Sequence, residues 1–376
     1  LREFSLPALY EVPTDGNLTD LIRRNAAQHP DVAVMSRKVA GVWTDVSATQ
    51  FLAEVRAAAK GLIASGVQPG DRVALMSRTR FEWVLLDFAI WSAGAVTVPV
   101  YETSSAEQVQ WILGDSGAVA VLVESDAHAA SVASVRDALP DLAHVWQIDA
   151  GAVEALGEAG AEVSDETMDL RTHSAKADDP ATIVYTSGTT GRPKGCVLTH
   201  RSFFAECGNV VERLKPLFRT GECSVLLFLP AAHVFGRLVE VASVMAPIKL
   251  GCVPDIKNLT DELASFRPTL ILGVPRVFEK VYNAARAKAQ ADGKGKIFDR
   301  AADTAIAYSR ALSAPGGPSL GLRLKHKLFD KLVFGKLRAV LGGRGEFAIS
   351  GGAPLGERLG HFYRGASASR SWRATA

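Results

Sequence analysis

The sequence predicts an α/β protein built on a mostly parallel sheet, and three observations carry that reading. Helical and β-like segments alternate along almost the whole chain, the rhythm of a sheet with helices on its faces. Several short apolar runs lack polar alternation, as strands buried on both faces do. A Gly-rich, hydroxyl-rich loop directly follows one of these strands, where open α/β sheets place ligand sites.

The elements follow in order. Asn17-Leu18-Thr19-Asp20-Leu21 reads as a capped helix start. Phe51 to Ala64 is amphipathic and ends at Gly66. Val73 to Met76 is a short strand after the Pro69-Gly70 turn. Trp83 to Tyr101 is the longest apolar stretch, with Asp87 as its only charge. Gly94, Pro99 and the β-rich Val96-Thr97-Val98 divide it into a buried helix and a buried strand rather than a membrane span. Gln108–Leu113 is helical and Val119–Val123 a strand. Residues 124–180 are rich in Ala, Asp and Glu and weakly patterned, so a subdomain boundary is expected near Asp179-Pro180. Strand Thr182–Thr186 then enters the loop Ser187–Gly195. Strand Val197–Thr199 and a helix from Arg201 come next, with further strands at Val225–Leu229 and Thr269–Val274.

Composition excludes several classes. Of 376 residues, 48% are hydrophobic and 22% charged, which rules out disorder, collagen and coiled coil. Lys plus Arg numbers 42 against 40 acids, too balanced for general nucleic-acid binding. The start, Leu1 to Ser5, carries an early acid and no apolar core of a signal peptide. Cys196, Cys207, Cys223 and Cys252 show no metal-ligand spacing and no His/Asp partner pattern, and are expected to be reduced core thiols of a cytosolic protein. Residues 321–340 set Arg323, Lys325, Lys327, Lys331, Lys336 and Arg338 against one acid, Asp330. Such a stretch is either a solvated helix face or a contact with an anionic membrane.

The segment Tyr185-Thr186-Ser187-Gly188-Thr189-Thr190-Gly191-Arg192-Pro193-Lys194-Gly195 carries the chemistry. Its glycines let backbone N–H groups converge on anionic oxygens. Its four hydroxyls can donate to phosphate or help hold a metal, and Arg192 and Lys194 supply charge. It is not a Walker A loop, because Pro193 stands where the second glycine belongs and Gly195 follows the lysine.

This segment resembles the signature of the adenylate-forming superfamily of acyl-CoA synthetases, aryl-CoA ligases, luciferases and peptide-synthetase adenylation domains. Leu229-Pro230-Ala231-Ala232-His233-Val234-Phe235-Gly236-Arg237 is similar to the family's second core segment. Gly273 to Lys280, Ser350-Gly351-Gly352-Ala353-Pro354-Leu355, Val98 to Thr103 and the start to Leu21 resemble the actinobacterial long-chain fatty-acid–CoA ligase branch, as does the helical stretch Ala284–Leu320. The resemblance implies two stacked mixed or parallel α/β subdomains forming an AMP-binding domain over residues 1–365. It implies ATP-dependent conversion of a long-chain fatty acid to acyl-AMP and then acyl-CoA, with ATP, Mg²⁺ and CoA as cofactors or substrates, in the cytoplasm or peripherally at the inner membrane face. Another carboxylic acid at the same site, or a non-catalytic nucleotide- or lipid-binding remnant, are the alternatives.

Residue by residue, the resemblance places Ser187, Gly188, Thr189, Thr190, Gly191 and Lys194 on the β- and γ-phosphates and Thr186 on Mg²⁺. Ser350, Gly351, Gly352, Ala353 and Pro354 fall along the adenine and the acyl-adenylate. Lys194 and His233 are the candidate catalytic residues. His233, two residues beyond the expected strand end, either orients the carboxylate or is a packed core histidine. Arg276 either lines the site or makes a structural ion pair.

The family's later segments, with a Mg²⁺-binding Glu, a ribose-binding Asp, a barrel-like subdomain and a mobile C-terminal domain with a catalytic Lys, are not found, so a C-terminally truncated chain is expected. Permitted GC-rich codons for Ala368–Ala376, read from the third base, spell Val-Pro-Val-Leu-Glu-Gly-Tyr-Gly, which the family would place there. Residues 366–376 are therefore expected to be an out-of-frame tail, and the chain alone inactive.

Overall fold

A computed structural model describes residues 5–186, 192–254, 256–367 and 373–375. Along the chain run α1 (Thr19–Gln28), the hairpin β1 (Ala33–Val39) and β2 (Val42–Ser47), α2 (Ala48–Ala64), β3 (Arg72–Met76), α3 (Phe81–Ser92), β4 (Val96–Val100), α4 (Ala106–Ser116) and β5 (Ala118–Val123). Then come α5 (Asp126–Ala133), β6 (His144–Gln147), α6 (Ala152–Ala159), α7 (Asp165–Thr172), β7 (Pro180–Thr186), β8 (Lys194–Thr199), α8 (His200–Arg213) and β9 (Ser224–Leu227). The order closes with α9 (Val234–Met245), β10 (Lys249–Cys252), α10 (Leu259–Phe266), β11 (Leu270–Gly273), α11 (Pro275–Ala291), α12 (Gly295–Leu312), α13 (Leu320–Phe329), a π-helical turn Asp330–Phe334, α14 (Gly335–Val340), β12 (Phe347–Ser350), α15 (Glu357–Ser367) and β13 (Arg373–Thr375). Two compact units result, Leu1–Glu222 with Leu229–Pro254, and Cys223–Phe228 with Asp255–Ala376.

The first unit holds a sheet in the order β6-β5-β3-β4-β7-β8. All neighbours are parallel except β8, which returns antiparallel along β7. The expected parallel strands are therefore present, and their carboxyl ends share one edge. Val73, Ala74, Leu75, Val98 and Leu122 are fully buried, which is why these strands read as continuous apolar runs. Helices α2 and α4 start at capping boxes, Ser47 with Gln50 and Ser105 with Gln108. The capped start at Asn17 differs in detail: Asn17 lies one residue outside the N-cap, and its Oδ1 accepts from Thr19 N at 3.0 Å and Thr19 Oγ1 at 2.6 Å. A second group of strands, β10-β1-β2, belongs to the same unit.

Two expectations are corrected here. The weakly patterned residues 124–180 form α5, β6, α6 and α7, and Pro180 opens β7 within the same sheet, so no boundary falls at Asp179-Pro180. Each of these helices has eight residues, too short to display an amphipathic period in sequence. The cysteines are all free, but only Cys207 and Cys223 are buried; Cys196 is exposed and Cys252 half-buried. Cys196 lies on β8, an edge strand with one face open to water.

In the second unit β13, β12, β11 and β9 neighbour in that order, all parallel. Its helical core is aromatic: Tyr282 meets Phe298 and Phe362 edge-on at 5.4 and 4.8 Å, and Tyr363 donates its hydroxyl to Phe278 O at 2.7 Å. Gly365 is obligatory, since a Cβ there would stand 1.9 Å from Ala305 O. Arg373–Thr375 pairs with β12 where the sequence carries no strand pattern. Among the described residues no helix is long and apolar enough to cross a membrane.

One buried histidine sets a pH dependence. His200, 1% exposed, accepts Leu18 N–H at Nδ1, 3.3 Å away, and burial holds its pKa down at about 4. The unfolded chain then binds a proton that the folded chain refuses between about pH 6.5 and 4. Stability is expected to fall by about 3 kcal/mol across that window as the pH drops. Urea melts at pH 7.5 and 4.5 check it, and His200→Gln should remove most of the difference.

Candidate active site

The motif begins at the end of β7 and finishes at the start of β8, two strands paired antiparallel. In the β7–β8 ladder Tyr185 pairs with Gly195 and Thr186 with Lys194, so the hydroxyl and the ammonium stem face each other at the mouth of the loop. Ser187, Gly188, Thr189, Thr190 and Gly191 lie outside the described residues. Lys194 and Thr186 are both exposed, and the Lys194 side chain has no ion pair among the described residues.

The hairpin is anchored to α4. Trp111 donates Nε1–H to Pro193 O at 2.8 Å, and the Arg192 guanidinium sits 4.7 Å above the Trp111 ring. Tyr185 donates to Asp115 Oδ2 at 2.6 Å; burial, aided by that carboxylate, pushes the phenol well above its ordinary range. Gly195 is explained by this packing, because a Cβ would come within 2.8 Å of Ile183 Cγ2 and 3.1 Å of the Tyr185 ring. A polar cleft of about 690 Å³ flanks the hairpin, with Glu107, Trp111, Asp115 and Arg192 on its walls. Two acids on its wall make it a poor seat for a triphosphate.

The segment around His233 is held by buried groups that sequence reasoning missed. Thr79 Oγ1 donates to Leu229 O at 2.7 Å and accepts from Ala231 N at 2.8 Å, fixing the turn before α9. Gly236 is required there, since a Cβ would meet Pro230 O at 2.3 Å. His233 is the N-cap of α9: its Nδ1 accepts Phe235 N–H at 3.1 Å, so in the neutral ring Nε2 carries the proton. The side chain is exposed, which removes the packed-core reading. The strand before it ends at Leu227, not Leu229, and His233 is the sixth residue beyond it rather than the second.

Arg237, one turn farther, is fully buried. It grips Asp87 with Nη2–Oδ1 at 2.6 Å and Nε–Oδ2 at 3.1 Å, donates to Thr182 Oγ1, and lies 5.2 Å over Trp91. Glu240, also fully buried, lies beside the Asp87 carboxylate. Burial and the neighbouring Asp87 charge hold its pKa far above the carboxylate range, so it is a neutral acid. The only sequence signals for this cluster are the lone Asp87 in an apolar stretch and the lone Arg237 beyond an apolar turn.

The second unit carries the remaining candidates. Ser350 ends β12 opposite Gly273 of β11, and Gly351 N donates to Gly273 O at 3.0 Å. Gly352 has φ +77°, a conformation that favours glycine. The Ser350 hydroxyl is buried and without a partner among the described residues. Ala353 and Pro354 follow in the loop before α15. Arg276 is exposed in the first turn of α11 and makes no ion pair among the described residues, so the salt-bridge reading finds no support. For Mg²⁺, Thr186 offers one hydroxyl, and no group of three acids, histidines or cysteines that could hold a metal exists among the described residues. These residues do not by themselves build a metal site.

The AMP-binding enzyme family matches residues 22–371. The chain is 49% identical over 369 residues to the long-chain-fatty-acid–CoA ligase FadD15 of Mycobacterium tuberculosis, covering 97% of this chain and 61% of that protein. It is 29% identical to the peroxisomal long chain acyl-CoA synthetase 7 of Arabidopsis thaliana, over 88% of this chain and 47% of that one. It thus spans less than two thirds of the length of these relatives. Among solved structures, the N-terminal domain of FACL13 from Mycobacterium tuberculosis matches with a TM-score of 0.67 at 22% identity, over 96% of this chain and 74% of that one. With the family matched over nearly the whole chain, this chain belongs to the AMP-binding enzyme family.

Proposed function

We propose that this chain forms the nucleotide-binding, acid-activating part of an ATP-dependent long-chain fatty-acid–CoA ligase. In the first step a fatty-acid carboxylate oxygen attacks the α-phosphorus of ATP, the α–β bridge breaks, and acyl-AMP and pyrophosphate form. In the second, the CoA thiol sulfur attacks the acyl carbonyl, the bond from the acyl carbon to the phosphate oxygen breaks, AMP leaves, and the thiol proton passes to solvent. The observation that carries the reading is the hairpin that sets Lys194 against Thr186 at the mouth of the Gly-rich loop.

Both reactants of the first step are anions, so positioning and charge neutralisation dominate its barrier. Lys194, exposed and without an ion pair among the described residues, is free to meet the β- and γ-phosphates, together with the residues of Ser187–Gly191. His233 holds Nε2–H outward, where it can donate to a carboxylate or phosphate oxygen. In the second unit, Ser350, whose hydroxyl has no partner among the described residues, and Gly351–Pro354 are the residues that the family resemblance assigns to the adenosine side. ATP usually brings Mg²⁺ on its own phosphates with waters, and Thr186 would add one oxygen to it; no step is assigned to the metal. Fatty acid, ATP and CoA are the partners, nucleic acid is not, and the site of action is the cytoplasm or its membrane face.

The test uses two proteins: the 376-residue chain, and a fusion carrying the C-terminal residues of FadD15 after residue 365. The fusion is expected to release pyrophosphate with palmitate faster than with octanoate or benzoate. The chain alone is expected to bind ATP with negligible thioester formation. Preference for benzoate would overturn the substrate class. Failure of both proteins to bind ATP would overturn the nucleotide site.

A further inference from the structure

The second unit presents a helix whose outward face is apolar. On α13, His326 points inward: its Nε2 lies 2.7 Å from Gly365 O and its ring stacks on Tyr308 at 4.0 Å. The opposite face carries Leu320, Leu324 and Leu328, exposed by 78%, 70% and 55%, and the π-helical turn adds Leu332 at 48%. A spacing of four places these side chains along one ridge. Isolated exposed leucines are ordinary, but a contiguous row of four is a contact surface.

Along α13 itself the charge is of one sign, with no acid between Leu320 and Phe329. Arg323, Lys325, Lys327 and Lys331 are all exposed and interleave with the leucines. None of the four makes an ion pair among the described residues. The single acid of residues 320–340, Asp330, is bound to Arg338 at 2.6 Å, and Arg338 also donates to Ala366 O at 2.8 Å. The one negative charge is thus already neutralised. Leu332 also lines a groove of about 190 Å³ with Ile297, Phe298 and Val340, which Lys288, Lys294 and Lys336 border beside one acid, Asp292.

We propose that the α13 ridge and the turn after it dock on an anionic lipid bilayer, the leucines entering the acyl boundary and the lysines meeting headgroup phosphates. Charge complementarity selects this occupant. A second copy would set the same basic cluster against itself, and a polynucleotide would leave four leucines in water. The inference does not depend on the ligase reading, because lipid binding is measured without substrate or turnover.

The experiment is co-sedimentation of the 376-residue chain with phosphatidylglycerol–phosphatidylcholine vesicles and with phosphatidylcholine alone, at low and high salt. Each basic residue that reaches an anionic surface strengthens binding about fivefold, so a preference of at least tenfold for the anionic vesicles is expected, shrinking at high salt. Leu324→Ser with Leu328→Ser, and separately Lys327→Glu with Lys331→Glu, should each lower partition about tenfold or more with unchanged circular dichroism. All four substitutions are on exposed positions, and the two pairs fail independently. Equal binding to neutral vesicles, unchanged partition of either double variant, or binding to a DNA duplex in preference to vesicles would overturn the proposal. So would a leucine-dependent dimer in sedimentation velocity, which would place a second copy on the ridge. Loss of vesicle binding in the FadD15 fusion would show that a later segment covers it, and would overturn the proposal as well.

Discussion

Arg237→Met is expected to destabilise the folded chain by about 3–5 kcal/mol, the cost of leaving a buried charge without its partner. Asp87 sits at 0% exposure in α3, and Arg237 supplies its only charge partner among the described residues. Removing the guanidinium also frees Thr182 Oγ1 from one donor and strips the cation from Trp91 and Phe203. Urea denaturation checks the size. A loss under about 1 kcal/mol would mean that the pair contributes no more than a surface salt bridge. Glu240→Gln is the companion substitution, with the opposite expectation. The folded-state pKa of Glu240 is raised, so its contribution to stability is fully present below the ordinary carboxylate range and is lost as the pH rises through the raised value. The amide, which cannot ionise, should leave stability flatter with pH on the alkaline side, and a steeper profile would refute the assignment of a neutral acid.

Lys194→Ala should weaken Mg·ATP binding to the 376-residue chain, and slow acyl-AMP formation by the fusion, about ten- to a hundredfold. One charge-assisted contact to phosphate is worth about 1.5–3 kcal/mol, and each 1.36 kcal/mol is tenfold. The exposed Lys194 side chain has no ion pair to lose among the described residues, so the fold should be unaffected and the melting curve serves as the control. Lys194→Arg should recover part of the loss. Wild-type affinity and adenylation in the alanine variant would remove Lys194 from the phosphate site.

Much of the α/β rhythm was legible because its signals are local. Val73–Met76, Val96–Val100 and Val119–Val123 read as strands and are β3, β4 and β5. The hairpin β1–β2 was not legible, since its turn uses Ala40 at φ 49° beside Gly41 at φ 82°, and alanine rarely marks a left-handed position. The short helices of residues 126–172 escaped for want of a period, and the boundary placed at Asp179-Pro180 followed from that. In the site, the motif residues could be named, yet the hairpin that pairs Thr186 with Lys194 could not, because register is set by a ladder of backbone bonds with no composition of its own.

By itself, then, the sequence determined the class of fold, the family and the loop where its chemistry is expected, since glycine spacing, turn residues and apolar runs act through the backbone of their own segment. The tertiary structure alone decided what surrounds them. Trp111 reaches Pro193 across 82 positions, and Thr79 braces the turn before His233 across 150. Asp87 and Arg237 meet in the core, also 150 positions apart, as a structural pair. Such partners are chosen by packing and by the need of buried polar groups for a partner, and neither leaves a periodic trace in the chain.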